Sequence, residues 1–354
     1  MIIASQTPVS IPRTDFEVML RFAKTIYGLK HNQAYVDKLE SQLPEAAKIR
    51  PDTPGILMGF DFHLTPEGPK LIEINNNAGG LYIGHGWLPQ PKMEAMPGDI
   101  DSRLLSMFPD AWRVIAIVDE AIESQFMYPE MQAYGRLLEA DGRRVFLTSP
   151  EALELKADGL YANGVRIDAI YNRHTDFYLV SSVMQHIRAA YLTGQVQINP
   201  HPRSYALLGD KSRMSDWWHT GVLEGVVSED EIAQIRSIVP ETHLMHEYDP
   251  DAAWSERKAW VFKPSARHGG KGVLLGSGMS RRRFDGLDAA ETVMQRFIPA
   301  SKVEINGNSF KFDVRLYTQG ERLIALAGRA WQGQVTNFRT EGSGWVPLEV
   351  EGQD

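Results

Sequence analysis

The spacing of apolar residues at the start of the chain predicts helices followed by a pair of strands. After Thr14, apolar residues recur at helical spacing and predict an amphipathic helix through Phe16, Met19, Leu20, Ala23, Ile26 and Tyr27. A second helix is predicted over residues 34–43, and two strands over 56–75. The Gly- and Pro-rich stretch 78–98 predicts a long loop, and such loops in compact domains are usually functional or disordered.

The middle of the chain has the pattern of a βαβ unit followed by a hairpin. The predicted order is strand, helix, strand, hairpin turn and strand, at 114–118, 129–138, 144–147, 163–164 and 165–171. Arg173, His174 and Asp176 follow the last of these strands. Since substrate sites of α/β sheets commonly lie at the carboxyl ends of strands, these three residues are candidates for substrate recognition.

From about residue 204 the pattern changes to short helices and then to strands joined by tight turns. The helices contain Asp210-Lys211 and Trp217-Trp218. Five strands are predicted, at 259–263, 272–275, 292–298, 310–317 and 322–327. Tight turns between consecutive strands favour an antiparallel sheet. The three patterns together predict three regions, 1–110, 111–203 and 204–354.

Composition and charge exclude several kinds of site. The chain has 354 residues, 43% of them hydrophobic, which is enough for two or three packed domains. Its 37 Lys and Arg against 45 Asp and Glu give a net charge of −8, which argues against a general nucleic-acid or anionic-membrane binder. The absence of cysteine excludes disulfides, thiolate zinc sites and Cys nucleophiles, so any metal must bind oxygen or histidine.

No segment of the sequence approaches the ~18 apolar residues that a transmembrane helix needs, and residues 1–8 do not resemble a signal peptide. We therefore expect a soluble, cytoplasmic protein that binds neither membrane nor nucleic acid. Because homodimers are the commonest oligomers of soluble proteins, a homodimer is the expected oligomer if the protein associates.

The first chemical motif is the hairpin 59–75. If Pro66-Glu67-Gly68 forms a three-residue loop with Gly68 in the left-handed region, Asp61 faces Glu73 across the ladder. One face then has polar residues and the other is core; the polar set is Asp61, His63, Glu73 and Asn75, and the apolar set Phe60, Phe62, Ile72 and Ile74. Opposed Cβ atoms lie roughly 5 Å apart, so the two carboxylates repel unless a cation lies between them, and Mg²⁺ suits such a site. A solvent-exposed hairpin face is an equally weighted alternative.

The second motif is the Gly-rich segment 260–275. Its backbone N–H groups would form a concave anion site, to which Lys263, Arg267 and Lys271 add positive charge. It is not a P-loop, because Lys271 is followed by Gly272 and a strand comes next instead of a helix. A Gly-rich turn with surface lysines is the alternative.

The third motif is the strand 310–317. Alternation places Lys311, Asp313 and Arg315 on one face and apolar residues on the other. This polar face fits a structural row of ion pairs. It fits equally a nucleotide site, in which the Asp binds ribose hydroxyls and the Arg binds phosphate through its planar guanidinium.

Taken as a set, these motifs resemble the ATP-grasp superfamily of carboxylate–amine ligases. The segments that resemble its nucleotide motifs are Lys263-Pro-Ser, Gly269-Gly-Lys-Gly272, Gln295-x-Phe-Ile, Lys311-Phe-Asp-Val-Arg-Leu-Tyr317, Arg329 and Val335-Thr-Asn337. Asp61, Glu73 and Asn75 resemble its metal triad, but here the triad lies near the N-terminus. That order resembles the circularly permuted members, glutathione synthetase and glutathionylspermidine synthetase.

The resemblance implies an α/β (α+β) protein with a circularly permuted ATP-grasp fold and an additional βαβ substrate domain. Residues 1–110 would be the permuted part with the metal hairpin, 111–203 the substrate domain, and 204–354 the nucleotide-binding part. The implied reaction joins a carboxylic acid to an amine through an acylphosphate, with release of ADP and phosphate. The implied substrates are small molecules, with an amino acid or a peptide among the options.

The resemblance also implies roles for individual residues. ATP is assigned to Lys211, Lys263, Gly269, Gly270, Lys271, Gln295, Phe297, Lys311 and Asp313, and Mg²⁺, with Mn²⁺ as the alternative, to Asp61, Glu73 and Asn75. The transferring phosphoryl group and the oxyanion are assigned to Arg315, Arg329, Asn337 and Arg339. Candidate substrate contacts are His63, His85, Arg173, His174 and Asp176.

Two departures from the family pattern argue against glutathione as the product. Gly59 stands where glutathione-forming relatives have an arginine, and Arg267 stands where glutathione synthetase has a metal-binding glutamate. Two other functions remain open from the sequence. One is an ATP-binding regulatory or scaffold protein without turnover, and the other is a phosphoryl-transfer enzyme without an amide product.

Overall fold

The computed structural model describes residues 4–82, 96, 98–265, 272–334, 336, 338 and 341–352. The α-helices are α1 Arg13–Leu29, α2 Gln33–Leu39, α3 Glu45–Lys48, α4 Ile100–Leu105, α5 Tyr128–Ala140, α6 Gln185–Leu192, α7 Pro202–Ser204, α8 Ser212–Asp216, α9 Glu229–Ile238, α10 Pro250–Ser255 and α11 Arg281–Asp285. Other helical turns are Glu40–Gln42, Ile122–Ser124, Pro150–Ala152, Ser182–Met184, Tyr205–Gly209, Met245–Glu247, Arg257–Ala259 and Gly276–Gly278.

The strands are β1 Val9–Ile11, β2 Met58–Thr65, β3 Gly68–Asn75, β4 Val114–Val118, β5 Arg144–Thr148, β6 Leu153–Lys156, β7 Gly159–Ala162, β8 Val165–Arg166, β9 Ala169–Asn172, β10 Gln197–Asn199, β11 Thr242–Leu244, β12 Trp260–Pro264, β13 Leu274–Leu275, β14 Thr292–Arg296, β15 Ser301–Ile305, β16 Asn308–Gln319, β17 Arg322–Trp331, β18 Gly344–Val346 and β19 Leu348–Val350.

The largest sheet joins the two ends of the chain. Its strands run in the order β18-β17-β16-β2-β3, and β15 pairs with β16. In the antiparallel pair of β16 and β2, Arg315 lies opposite Asp61. The parallel pair of β1 and β19 ties the ends together a second time. The N-terminal hairpin therefore completes a sheet whose long strands come last in the sequence, as the permuted order predicts.

The hairpin of β2 and β3 has the predicted pairing near the site, but a different turn. Thr65 pairs with Gly68, so the loop has two residues, and Gly68 has φ +97°. The register shifts between Asp61 and Phe62, which leaves Ile72 as an extra residue in β3 and restores Asp61 opposite Glu73. Because of this bulge, Leu71 and not Ile72 pairs with Phe62 and belongs to the core.

A four-stranded parallel sheet in the order β10-β9-β4-β5 forms the middle of the molecule. Helix α5, with Pro129 in its first turn, connects β4 to β5 as the βαβ pattern predicts. The chain enters this sheet at β4, adds β5 on one side and then β9 and β10 on the other. The direction of strand addition reverses between β4 and β9.

The predicted strand at 165–171 is two strands in different sheets. Val165–Arg166 pairs antiparallel with β7, whereas Ala169–Asn172 joins the parallel sheet. The break lies at Asp168, whose carboxylate accepts hydrogen bonds from the backbone N–H groups of Arg113 and Val114 at 3.0 and 2.8 Å. These two bonds hold residue 168 at the amino end of β4, and β9 starts at the next residue.

The third region contains an antiparallel sheet in the order β11-β14-β12-β13, in agreement with the tight turns of the sequence. Trp260, Phe262 and Met294 fill its own small core. Within the described residues, no helix has the length and apolar composition needed to cross a bilayer.

Candidate functional site

A cavity of about 1250 Å³ lies where the three larger sheets meet. We call one part of the cavity the nucleotide half, because it contains residues that the resemblance assigns to ATP. It is lined by Lys211, Lys263, Gln295, Phe297 and Ile298. The cavity's substrate half is lined by residues that follow β4 and β9 or lie in α5 and the turn before it. Asp61, Glu73 and Asn75 of the hairpin lie between the halves.

Asp61 and Arg315 form a bidentate ion pair at the centre of the cavity. Arg315 Nε donates to Asp61 Oδ1 at 2.5 Å, and Nη2 donates to Oδ2 at 2.6 Å. Arg329 Nη2 lies 2.8 Å from the same Oδ2. Burial alone would raise the pKa of Asp61, but the two guanidinium groups hold it below its usual value. Asp61 is therefore an anion, and arginines neutralise it.

Asp313 and Arg329 form a second bidentate pair beside the first. The distances from Arg329 Nε and Nη2 to the two carboxylate oxygens of Asp313 are both 2.7 Å. The residues face each other across β16 and β17. Asp313 is buried and paired with Arg329, so the row of ion pairs expected for this strand face is present; Asp313 also lines the cavity, and its contact with ribose stays a prediction.

Two lysines lie near the Glu73 carboxylate in the nucleotide half. Lys211 Nζ is 3.3 Å from Glu73 Oε1. Lys263 Nζ donates to the Ile72 carbonyl at 2.8 Å and to Gln295 Oε1 at 2.6 Å. Burial would raise the pKa of Glu73, yet Lys211 and Lys263 lower it. Burial lowers the pKa of Lys263 to about 8.

The other predicted nucleotide residues that are described divide into two groups. Gln295 and Phe297 line the cavity, Gln295 buried against Lys263 and Phe297 with 44% of its surface exposed. Lys311 does not belong to the lining; it donates to the Gly333 carbonyl at 2.5 Å. The ribose contact of Lys311 stays a prediction.

Asp119 and Arg173 face the substrate half from the ends of adjacent parallel strands. They directly follow β4 and β9, and Arg173 N–H donates to the Val118 carbonyl at 2.8 Å. This is the point at which strand addition reverses, where α/β sheets bind ligands in general. Burial would lower the pKa of Arg173, but the surrounding Tyr171, Glu130 and Asp119 raise it. Burial raises the pKa of Asp119.

The segment after β3 connects the two halves. The Gly79 carbonyl accepts hydrogen bonds from Arg315 Nη1 at 3.2 Å and from Tyr317 at 3.0 Å. Asn77 binds the Arg173 guanidinium through its side-chain oxygen. A Cβ placed on Gly79 would lie 2.8 Å from Arg173 Nη2, so a glycine is needed for this close approach.

Of the remaining substrate candidates, His63 lines the cavity and stacks on Trp331, and burial lowers its pKa. His174 and Asp176 do not belong to the lining. His174 Nδ1 accepts from the Asp176 N–H at 3.0 Å, and the Asp176 carboxylate accepts from Ser181 N–H at 2.7 Å. Their side chains shape the turn after β9, and the neighbouring Thr175 and Phe177 line the cavity instead.

Several predicted site residues lie outside the described residues. They are His85, Gly269, Gly270, Lys271, Asn337 and Arg339. Their assignments therefore stay predictions.

The hairpin offers two candidate ligands for a hard cation. The described residues contain no group of three or more Asp, Glu or His side chains that could hold a metal ion. Glu73 has one ion pair, with Lys211, and Asn75 donates through Nδ2 to Asp61 at 3.2 Å, which leaves its amide oxygen as an acceptor. One carboxylate and one amide fit Mg²⁺, which usually binds one or two protein carboxylates together with substrate phosphates.

Sequence reasoning missed part of the substrate half. Phe126, with 66% of its surface exposed, Met127 and Pro129 line it from the start of α5, and Arg136 lies two turns further along that helix. The helix was predicted, but an α-helical pattern identifies a buried face and not a cavity. Asp119, directly after an apolar strand, had the same sequence signal as Arg173.

Comparison with solved structures shows which fold this is. The chain is similar to a glutathione-synthetase-like effector (GSS30) from Globodera pallida, with a TM-score of 0.58 and 12% identity over 96% of this chain and 88% of that one. It is also similar to a putative gamma-glutamylcysteine synthetase from Methylobacillus flagellatus KT, with a TM-score of 0.52 and 12% identity over 95% and 87%. No family model matches the sequence, and no curated protein matches it.

The chain therefore shares the α/β fold of these two proteins, in agreement with the fold expected from the sequence. At 12% identity this likeness defines the fold and not the reaction.

Proposed function

We propose that this protein is an ATP-dependent carboxylate–amine ligase that forms an amide through an acylphosphate and releases ADP and phosphate. One observation carries the proposal: a single cavity holds a buried cluster of Lys211, Lys263, Arg315 and Arg329 and continues into a second half with charged groups of its own. An ATP-binding scaffold needs only the first half. Positive charge buried beside a second ligand-sized space fits transfer of a phosphoryl group to another molecule.

The triphosphate would bind Lys211 and Lys263, whose ammonium groups lie in the nucleotide half. Phe297 is exposed at the same half and would stack on the base. Gln295 supports this arrangement indirectly, because its side-chain oxygen accepts a hydrogen bond from Lys263.

Glu73 and Asn75 would hold Mg²⁺, or Mn²⁺ in its place. When bound, the ion would neutralise the developing charge on the phosphates. The carboxylate of Glu73 and the amide oxygen of Asn75 are hard ligands, as such an ion requires.

Arg315 and Arg329 would stabilise the transferring phosphoryl group and then the oxyanion that forms when the amine attacks. Both side chains are already fixed by bidentate bonds to carboxylates, so they need no reorganisation during the reaction. Catalysis of this kind depends on positioning and on neutralisation of charge.

Asp119 and Arg173 would bind charged groups of the substrate. Both groups line the substrate half, and a ligand that has an ammonium and a carboxylate group would pair with Asp119 and Arg173 respectively. Phe126, Met127 and Phe177 would contact an apolar part of the same substrate. An amino acid or a peptide end has this combination of groups.

The test is ADP release measured over paired panels of carboxylic acids and amines, with mass spectrometry of the product. We expect ADP release that needs both an acid and an amine, with an amide as the product. Glu73→Gln should lower turnover about a hundredfold or more without unfolding the protein, while the exposed Glu67→Gln in the same hairpin serves as the matched control. Nucleotide-dependent thermal stabilisation without substrate-dependent ADP release would indicate a scaffold instead, and a phosphorylated product without an amide would indicate a kinase.

A further inference from the structure

Asp61 stands out from the other two residues of the predicted metal triad by the number of its hydrogen bonds. Its Oδ1 accepts from Arg315 Nε, and its Oδ2 accepts from Arg315 Nη2 and from Asn75 Nδ2. Arg329 Nη2 reaches the same Oδ2. Three donors thus reach Oδ2, which offers about two lone-pair positions, and the bidentate bond with Arg315 uses a position on each oxygen.

We propose that Asp61 is a positioning residue that holds Arg315 and Arg329, and that it is not a ligand of the metal ion. The inference rests on the proposed function for the role of the two arginines. The pairing itself rests only on the geometry of the free protein.

The balance of charge supports this assignment. Asp61 and Asp313 provide two negative charges, and Arg315 and Arg329 provide two positive charges, all of them buried. A cation that binds Oδ2 would have to displace a guanidinium from the carboxylate that already balances its charge in the free protein. Breaking a buried pair in this way is strongly unfavourable.

Glu73 differs from Asp61 in the exposure of its side chain and in the number of its ion pairs. Its side chain keeps 22% of its surface exposed, against 2% for Asp61, and its only described ion pair is with Lys211 at 3.3 Å. Glu73 thus has an oxygen that a cation can reach, and the hairpin separates a metal-binding carboxylate from an arginine-binding carboxylate directly opposite it.

The sheet register explains why the arginines can be held so accurately. Asp61 lies opposite Arg315 across β2 and β16, and Asp313 lies opposite Arg329 across β16 and β17. Each guanidinium is fixed in its plane by two parallel hydrogen bonds, the geometry that gives Arg–carboxylate pairs their specificity. Arg329 also reaches Asp61, so the three strands form one continuous chain of charges.

The first experiment measures Mn²⁺ binding by electron paramagnetic resonance in the presence of a non-hydrolysable ATP analogue. We expect Asp61→Asn to leave the Kd of Mn²⁺ within about twofold of the unmodified protein, and Glu73→Gln to raise it at least about tenfold. The same Asp61→Asn variant should lower kcat at least about tenfold at unchanged KM for ATP. Weakening of Mn²⁺ binding in Asp61→Asn to the level of Glu73→Gln would overturn the proposal.

The second experiment follows the Nε–H signals of Arg315 and Arg329 by NMR in the protein without nucleotide, assigned with Arg315→Lys and Arg329→Lys. We expect the Arg315 Nε–H to exchange at least about tenfold faster in Asp61→Asn and to be unchanged in Glu73→Gln and Glu67→Gln. Unchanged protection in Asp61→Asn would contradict the positioning role.

Two further outcomes separate this inference from the proposed function. If Asp61→Asn does not fold, Arg315→Lys decides: a metal-binding Asp61 that has lost its bidentate bond to Arg315 should tighten Mn²⁺ binding although Arg329 still contacts it, whereas we expect no change. If the unmodified protein binds no nucleotide, the proposed function fails, and the Nε–H exchange rates still decide whether Asp61 holds the arginines.

Discussion

Lys263 donates a hydrogen bond from Nζ to Gln295 Oε1 at 2.6 Å, between the adjacent antiparallel strands β12 and β14. The Gln295 amide nitrogen in turn lies 3.4 Å from Thr242 Oγ1. Both ends of the Gln295 side chain are therefore engaged inside the protein. Its contribution to nucleotide binding would be to hold Lys263 in place.

Nucleotide affinity should depend on pH because of this lysine. Burial lowers the pKa of Lys263 to about 8, so the free protein loses this ammonium as the pH rises through that value. Bound phosphates favour the charged form, so nucleotide binding should take up a proton above about pH 8, and affinity should fall with further rise in pH. Calorimetry in two buffers of different ionisation enthalpy measures the proton uptake.

Lys263→Arg is the control, because arginine stays charged over this range. Gln295→Glu should move the loss of affinity to higher pH, since a carboxylate beside Lys263 raises its pKa. An unchanged pH dependence in Lys263→Arg would show that another group is responsible.

Arg173 and Asp119 should affect the substrate and not the nucleotide. Arg173→Ala should raise KM for the charged substrate at least about tenfold and leave the Kd of ATP unchanged, because the guanidinium lies in the substrate half. Arg166→Ala, at an exposed position in β8, is the matched control. Steady-state kinetics and separate nucleotide titrations measure the two quantities. A weaker ATP complex with an unchanged KM for the substrate would contradict the prediction.

Asp119→Asn should stabilise the free protein while weakening substrate binding. Burial raises the pKa of Asp119, so its ionisation as pH rises above the unfolded value of 3.8 costs stability, and asparagine avoids that cost. We therefore expect a higher Tm for the variant at about pH 7 and equal Tm values below the unfolded pKa. A lower Tm at neutral pH would mean that the Glu120 N–H and the Arg173 charge stabilise the carboxylate by more than burial destabilises it.

Gly79→Ala should displace Arg173 without unfolding the protein. The added Cβ would lie 2.8 Å from Arg173 Nη2, the far end of a flexible side chain, and Gly79 has no positive φ. We expect a rise of about tenfold in substrate KM with a change in unfolding free energy of only about 1 kcal/mol. Gly28→Ala, in α1 with no atom within 4 Å of the added Cβ, is the control; it should leave KM unchanged and raise the unfolding free energy by up to about 1 kcal/mol.

The pairing of Asp61 with Glu73 could be predicted from the sequence, although the predicted turn was wrong. A three-residue loop predicted the correct register, whereas the structure reaches it with a two-residue loop and a bulge at Ile72. Bulges leave a weak sequence signal, because alternation resumes after the extra residue. The antiparallel pairing of strands in the nucleotide region and the βαβ unit followed from turn residues and periodicity.

Partners of charged side chains could not be predicted in the same way. Alternation placed Asp313 and Arg315 on one strand face, but only the neighbouring strands β2 and β17 decide which carboxylate meets which guanidinium. His174 and Asp176 follow a strand end, a position that favours substrate binding. In the structure, their side chains instead accept hydrogen bonds from backbone N–H groups of the same turn. The sequence thus identifies polar faces, and the tertiary structure decides which groups remain for a ligand.

The most direct test of the ligase proposal follows an oxygen atom. A panel of acids labelled with heavy oxygen in the carboxylate is incubated with ATP, Mg²⁺ and amines, and the released phosphate is analysed by mass spectrometry. An acylphosphate intermediate requires one carboxylate oxygen to leave with the phosphate, so we expect labelled phosphate in amounts equal to the ADP formed. Substrate-dependent ADP release with unlabelled phosphate would contradict the proposed reaction.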